Sequence, residues 1–209
     1  MKQKLLKNIS WLIFDKIIRI FGGLIVGIWV ARYLGPGDFG VLNYALAYTA
    51  LFMLFVKLGL DQIIIREVVK KPKLINYLMG TAFGLKLVGS IMAIILVYVS
   101  LIFMETDNIT KIVILIISAG FILQSIDVID FFYQSKVLSK YVVIARNIAF
   151  ILSSLLKVYF IVYKYDVIYF ALANTLDFLL AGLFLIVIYK KTGHTICKWR
   201  FSSKKAVEI

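Results

Sequence analysis

The sequence contains little cysteine, proline or histidine: one, two and one of these residues, respectively, among 209. The single cysteine, Cys197, excludes an internal disulfide. The single histidine, His194, lies in a basic tail, so no Cys/His cluster with metal-ligand spacing is present. Catalytic serine elbows and phosphate-binding glycine loops are also missing from the sequence. We therefore expect no catalytic residues, no metal and no cofactor.

Long polar stretches are also scarce, since 62% of the residues are hydrophobic. Soluble domains have about 45–50% apolar residues, so this composition predicts a protein that crosses a membrane several times. Three lysines among the first seven residues precede an apolar run, as they do in a signal peptide. However, Asp15, Lys16 and Arg19 interrupt that run, and no A-x-A-like cleavage site follows it. We expect an uncleaved first transmembrane helix.

The apolar residues form six segments of more than 20 residues each, and these predict six transmembrane helices. Runs of this length without alternation of period two are not typical of strands. The predicted helices cover residues 11–34, 41–65, 78–104, 109–133, 141–163 and 167–189. Residues 1–189 should therefore form one transmembrane unit, and residues 190–209 a basic cytoplasmic tail.

The net charge of +13 is distributed unevenly among the loops. Sixteen of the 24 basic residues lie in the N-terminal stretch, the second and fourth loops and the tail, with Arg146 counted beside the fourth loop. The other loops contain only Arg32, Lys111 and Lys164. Because basic loops remain on the cytoplasmic side, both termini are predicted to be cytoplasmic. This pattern explains most of the positive charge without nucleic acid as a partner.

Polar residues within the predicted helices form the candidate site. Asp15, Arg19, Gly22 and Gly23 share one face of the first helix, and Gly23 with Gly27 predicts a close helix contact. Charges inside a membrane cost several kcal/mol unless they face protein or water.

All six predicted helices contain at least one ionisable group, and we expect these groups to surround a hydrated cavity with a mixed but cationic lining. Two alternatives are structural pairs, such as Lys57 with Asp61, and lysines such as Lys16 that extend to the interface.

A different class of function is also open: a membrane enzyme. Asp127 and Asp130 could hold Mg²⁺ for chemistry on a polyprenyl phosphate. Two carboxylates alone are too few for a well-defined magnesium site. We therefore do not expect an enzyme.

Residues 31–40, Ala-Arg-Tyr-Leu-Gly-Pro-Gly-Asp-Phe-Gly, resemble the first-loop signature of polysaccharide flippases. These are the O-antigen and capsule repeat-unit exporters of the multidrug/oligosaccharidyl-lipid/polysaccharide exporter superfamily. Residues 58–61 (Leu-Gly-Leu-Asp) and 65–67 (Ile-Arg-Glu) resemble the end of their second helix. The pattern of six helices, short outer turns and basic inner loops covers nearly the whole chain.

The resemblance implies an all-α membrane protein that forms the N-terminal lobe of a two-lobe multidrug-exporter-like (MATE-like) fold. Members usually have two such lobes, whereas this sequence ends shortly after the sixth predicted helix. The resemblance therefore implies a truncated product, a fragment or one half of a split transporter. In each case a second six-helix lobe is the expected partner, beside lipids and substrate.

The resemblance also implies a function: translocation of polyprenyl-pyrophosphate-linked oligosaccharide units across a bacterial inner membrane, for O-antigen, capsule or exopolysaccharide. The expected substrate-binding residues are Arg19, Lys57, Lys86 and Lys157, and the ion-coupling candidates are Asp15, Asp61, Asp127, Asp130 and Asp177. The alternatives are a multidrug exporter of the same superfamily, for which an acidic lining would be expected, the membrane enzyme, and an inert fragment.

Overall fold

A computed structural model describes residues 2–57 and 59–203 of the chain, and these residues form helices joined by short turns, with no strand among them. The predicted all-α class is thus confirmed. The α-helices are α1 (Lys2–Lys57), α2 (Leu60–Lys70), α3 (Ile75–Ile102), α4 (Asn108–Leu123), α5 (Val128–Ser135), α6 (Lys140–Val162) and α7 (Val167–Lys191). Short 3₁₀ helices cover Pro72–Leu74, Gln124–Asp127 and Ile196–Lys198.

Five stretches within the described residues are long and apolar enough to cross a membrane. They are Asn8–Lys70, Pro72–Ile102, Asn108–Ser135, Lys140–Val162 and Val167–Lys191. Large apolar side chains such as Phe21, Leu24, Val88 and Leu155 remain exposed on their outer surfaces. This surface suits lipid rather than water, and the chain is a multi-pass membrane protein.

The first of these stretches is interrupted at Gly35. Its 63 residues would extend about 95 Å as one straight helix, three times the thickness of the hydrocarbon core. Gly35 has φ 70° and ψ 178°, a conformation that glycine adopts without strain, and Pro36 follows as the first residue of the next helical part. Asp15 and Lys57, from either side of Gly35, line the same cavity. The chain therefore reverses direction at Gly35.

A layer of polar residues lies between two apolar cores. One core contains Ala93, Ala173 and Phe160, whereas the other contains Ala82, Ala145 and Leu185. Along each of α3, α6 and α7, a charged residue falls between the members of the two cores. These charged residues are Lys86, Arg146 and Asp177, and all three line one cavity. The charged positions are thus at mid-depth in the bundle.

Gly22, rather than the predicted pair Gly23 and Gly27, provides the close helix contact of the first helix. A Cβ atom added to Gly22 would lie 2.8 Å from Cε1 of Phe150 on α6. A Cβ atom added to Gly23 or Gly27 would have no described neighbour within 4 Å. Successive residues differ by about 100° around a helix, so only one of these adjacent glycines faces α6. The prediction for Gly23 and Gly27 was wrong in the part of the chain described.

This difference predicts different effects of two alanine substitutions. Gly27→Ala should raise the melting temperature in detergent by a few degrees, because alanine favours a helix interior by about 1 kcal/mol over glycine. Gly22→Ala should not raise the melting temperature, because the new methyl group would have to displace the Phe150 ring. Thermal unfolding of both purified variants measures the difference. Equal melting temperatures would contradict the packing of α1 on α6.

The C-terminal segment packs on the small-residue face of α3. The Arg200 amide donates a hydrogen bond to the Asn76 carbonyl oxygen at 3.1 Å. A Cβ atom on Gly80 would lie 2.6 Å from the Arg200 backbone, and one on Gly84 would lie 2.8 Å from the Phe201 ring. The glycine pair of α3 therefore accommodates an extended piece of the tail instead of a helix.

The loops form two separate ends of the bundle. At one end, the Tyr33 hydroxyl donates a hydrogen bond to the Tyr165 carbonyl oxygen at 3.0 Å. At the other end, the Ser139 amide donates one to the Asn8 side-chain oxygen at 2.8 Å. The Asn8 end belongs to the basic loops and the Tyr165 end to the loops poor in basic residues, so we predict that the Asn8 end is cytoplasmic.

Single-cysteine labelling tests this orientation. In a Cys197→Ser background, an impermeant maleimide applied to intact cells should label Asp107→Cys and Tyr165→Cys. The same reagent should label His194→Cys only after permeabilisation. Labelling of His194→Cys in intact cells would reverse the assignment of sides.

Candidate functional site: a charged cavity inside the helix bundle

A cavity of about 620 Å³ lies within the helix bundle. Both parts of α1, together with α2, α3, α5, α6, α7 and the 3₁₀ turn Gln124–Asp127, contribute to its lining. The charged side chains that line it are Asp15, Lys16, Arg19, Lys57, Asp61, Lys86, Asp127, Asp130, Arg146 and Asp177. The chain thus places ten ionisable groups around one space within an otherwise apolar bundle.

Most of the predicted site residues lie at this cavity. The lining includes Arg19, Lys57 and Lys86, and also the five aspartates proposed for ion coupling. Lys157 lies elsewhere, in a smaller cleft beside Asn174. The predicted grouping of four cations therefore does not occur, because Lys157 is close to the far end of α6.

Arg146 is the main cation whose position the sequence pattern did not predict. Its Nη2 atom lies 3.0 Å from Oδ2 of Asp130 and 3.4 Å from Oδ1 of Asp127. From the sequence, Arg146 was counted with the basic residues of the fourth loop, on the cytoplasmic side. That count was wrong, because Arg146 lies in α6 and lines the cavity. It also falls inside the predicted helix 141–163. A charge within that predicted helix was the signal that could have identified it.

Arg19 connects α1 to the backbone of α6 at Arg146. Its Nε atom lies 3.2 Å from Oδ1 of Asp15, one helical turn away. Its Nη2 atom donates a hydrogen bond of 3.0 Å to the Arg146 carbonyl oxygen. The guanidinium also lies 5.6 Å from the centre of the Phe150 ring. The planar group therefore makes three contacts in different directions, so Arg19 does not simply extend to the interface.

The three lysines at the cavity form no ion pair with any carboxylate that the structure describes. Among the described residues, no carboxylate oxygen lies within 4.0 Å of the amine of Lys16, Lys57 or Lys86. Lys86 is buried, and its amine lies 5.0 Å from the centre of the Phe131 ring. The cavity thus contains ammonium groups that remain able to bind an anion.

The ion pair of Lys57 and Asp61, one of the alternatives to a hydrated cavity, does not form among the described residues. The two residues would be neighbours on one continuous helix. However, Gly59 has φ 65°, and α1 ends at Lys57 while α2 begins at Leu60. This break separates the two side chains, although both line the cavity.

The cavity is balanced in formal charge rather than cationic. Among the described residues that line it, five are carboxylates and five are basic groups. The ion pairs engage Arg19 and Arg146 with Asp15, Asp127 and Asp130. Asp61, Asp177 and the three lysines line the same cavity outside these ion pairs. The predicted mixed lining is observed, but its net positive charge is not.

The fourth predicted helix, residues 109–133, is interrupted at the cavity. The α-helix ends at Leu123, a 3₁₀ turn covers Gln124–Asp127, and α5 begins at Val128. Such a turn within a long helix often marks a hinge. Asp61 Oδ1 and Gln124 Nε2 are buried beside it, and neither makes a hydrogen bond to a described residue. The irregular backbone thus occurs where it lines a polar space, as it should in a membrane protein.

The geometry does not favour the magnesium alternative. Asp127 and Asp130 both lie within ion-pair distance of Arg146. Over residues 2–57 and 59–203, no three His, Cys, Asp or Glu side chains are grouped as metal ligands. A cation would have to compete with the guanidinium for these oxygens.

The fold and the cavity together define a multi-pass membrane protein with a buried, charged interior. A family model described as polysaccharide biosynthesis protein matches residues 5–208. The chain belongs to this family, and the resemblance to the polysaccharide flippase superfamily is confirmed. No curated protein and no solved structure matched the chain.

Proposed function

We propose that the chain takes part in moving polyprenyl-pyrophosphate-linked oligosaccharide units across a bacterial inner membrane. Such a substrate has an anionic pyrophosphate and many hydroxyl groups, which cannot enter lipid unaided. Its long apolar tail, by contrast, can remain in the bilayer. The family supports a role in polysaccharide biosynthesis, and the cavity supports transport as the form of that role.

The observation that carries this proposal is the combination of free lysines and paired carboxylates in one cavity. Lys16, Lys57 and Lys86 can bind the pyrophosphate by charge-assisted hydrogen bonds. Carboxylates and the buried Gln124 amide can bind sugar hydroxyls, since such groups accept and donate hydrogen bonds. A balanced lining suits a substrate with few charges and many hydroxyls better than a purely cationic one would.

The proposal includes a second lobe. The cavity of about 620 Å³ is of the size that holds one drug-sized ligand, which is less than a repeat unit of several sugars needs. In the proposed arrangement the chain crosses the membrane six times, with the reversal at Gly35 as the first turn and both termini in the cytoplasm. This MATE-like lobe faces a partner lobe across an enlarged cavity. Alternating access then results from rocking of the two lobes.

Surface glycan in the native host tests the proposal. Variants placed at the native locus retain whatever partner the chain has. We expect Lys57→Ala with Lys86→Ala to lower surface glycan at least about tenfold, the effect of losing about 1.4 kcal/mol of head-group binding. Lys136→Ala, an exposed loop residue, is the matched control at equal protein level. Normal surface glycan in the double variant would exclude the lysines as the binding groups.

A drug exporter of the same superfamily is the second candidate, because five carboxylates in the cavity could bind a cationic drug. The two functions predict different phenotypes of a deletion. Loss of surface glycan with unchanged drug susceptibility supports the flippase. Increased susceptibility to cationic drugs with normal glycan supports the exporter. In neither case do we propose a catalytic role for the aspartates.

A further inference from the structure

A second cleft lies beside the charged cavity, in the half of the bundle nearer Tyr165. Its volume is about 190 Å³, and its walls come from both parts of α1 together with α6 and α7. Small and apolar residues such as Gly23, Gly27 and Val30 line most of it. Lys157 is the only charged residue in its lining within the described part of the chain. The cleft is therefore chemically different from the mixed cavity.

Among the described residues, Lys157 has one hydrogen-bond acceptor and no carboxylate in direct ion-pair contact, although Asp177 interacts with its charge from a greater distance. Its amine donates a hydrogen bond of 2.7 Å to Oδ1 of Asn174. In the described parts of the chain, no carboxylate oxygen lies within 4.0 Å of it. An ammonium group has three donors, so two remain after the bond to Asn174. Asp177 compensates this charge only from a distance, and an anion in the cleft would relieve the remaining cost of a charge between apolar walls.

Phe150 separates the cleft from the charged cavity. Its ring is close to Gly22 on one side and 5.6 Å from the Arg19 guanidinium on another, and it also lines the cleft. Arg146 at the cavity and Lys157 at the cleft lie eleven residues apart on α6, or about 16 Å along the helix axis. The two cations therefore cannot bind the same phosphate group.

We propose that Lys157 and Asn174 form a second anion site, which binds the phosphate end of an isoprenoid or alkyl phosphate. The cleft has room for roughly six water molecules at about 30 Å³ each, so it can hold a phosphate and several methylene groups but not an oligosaccharide. The walls beside Gly23 and Gly27 suit the apolar chain. Where it assigns the site to the transported lipid, this inference rests on the proposed function. In that case Lys157 binds the phosphate on the lipid side of the pyrophosphate, and the oligosaccharide stays outside the cleft.

Charged thiol reagents measure the potential in the cleft directly. Ser154 lines the cleft, so Ser154→Cys in a Cys197→Ser background reports on it in membrane vesicles. Each reaction rate is divided by the rate of the same reagent with a free thiol in solution. After this correction, the anionic sulfonatoethyl methanethiosulfonate should react faster than the cationic trimethylammonioethyl methanethiosulfonate. Lys157→Gln should reduce this ratio about tenfold, since it removes the nearby positive charge. Glutamine keeps a donor for Asn174, so the fold should be retained.

Lys86→Gln is the matched control, because it removes a cation from the other cavity. It should leave the reagent ratio at Ser154→Cys unchanged, whereas Phe150→Ala should join the two spaces and make the ratio sensitive to Lys86. If Lys157→Gln leaves the ratio of anionic to cationic reagent rates unchanged, a separate anion site is overturned. The same holds if Lys86→Gln alone lowers this ratio as much as Lys157→Gln does.

Protection from labelling identifies the ligand chemistry. Decyl phosphate should slow labelling of Ser154→Cys severalfold, and the effect should disappear with Lys157→Gln. Equal protection by decanol would show that the cleft binds only apolar chains, and equal protection by inorganic phosphate would show a site for a free anion. Either result would overturn the proposed amphiphile site. These measurements do not depend on glycan export, so their failure and that of the proposed function are distinguishable.

Discussion

Arg146→Ala is expected to destabilise the chain more than any other single change at the cavity. The substitution leaves Asp127 and Asp130, which the guanidinium contacts at 3.4 and 3.0 Å, without a cation. Removing one partner of a fully buried pair costs about 3–5 kcal/mol, and the partial exposure of Arg146 reduces this to on the order of 2–3 kcal/mol. We expect a decrease of roughly 5–10 °C in melting temperature in detergent.

Two further variants separate the charge effect from lost packing. Replacing both aspartates by asparagine in the Arg146→Ala background should restore most of the stability, because no uncompensated charge remains. Lys190→Ala removes an exposed basic residue at the end of α7 and should have no effect. If Arg146→Ala melts within about 2 °C of the wild type, the two carboxylates do not depend on this cation.

The second large effect is expected at Arg19. Its guanidinium contacts Asp15 and the Arg146 carbonyl oxygen at the same time, at 3.2 and 3.0 Å. A lysine amine is a point charge and cannot reproduce this planar geometry. We expect Arg19→Lys to lower glycan export about tenfold, since a hydrogen bond to a charged group contributes about 1.5–3 kcal/mol. Arg19→Ala should abolish export.

Neither substitution at Arg19 should change the membrane topology, because the basic loops determine orientation. Export is read as surface glycan at matched protein level in the native host. Wild-type export by Arg19→Lys would mean that only the positive charge is needed. Wild-type export by Arg19→Ala would remove Arg19 from the mechanism.

The class of protein and the presence of a polar interior could be predicted from the sequence. Apolar runs of more than 20 residues have few alternatives to transmembrane helices. Charges within such runs must face protein or water, and this requirement alone assigns Arg19, Lys57 and Lys86 to an interior. The reversal at Gly35 was also predictable, since a Gly-Pro-Gly sequence ends a helix.

The pairing of the charges could not be predicted, because it depends on contacts between distant parts of the chain. The hydrogen bond from Arg19 to Arg146 joins residues 127 positions apart. Periodicity gives the face of one helix but not its rotation against the next helix. For this reason Gly22 was not distinguished from Gly23, and Lys157 was grouped with the wrong cavity. The 3₁₀ turn at Gln124–Asp127 had no proline or glycine to indicate it.

The most direct test of the account measures where the lipid-linked oligosaccharide resides. Right-side-out and inverted membrane vesicles are prepared from the native host, from a deletion strain and from the strain with Lys57→Ala and Lys86→Ala. An impermeant glycosidase then measures the fraction of the lipid-linked oligosaccharide exposed in each leaflet. We predict that the deletion and the double variant confine it to the cytoplasmic leaflet, while the wild-type gene restores the outer fraction. An unchanged outer fraction in the deletion strain would contradict a role of this chain in translocation.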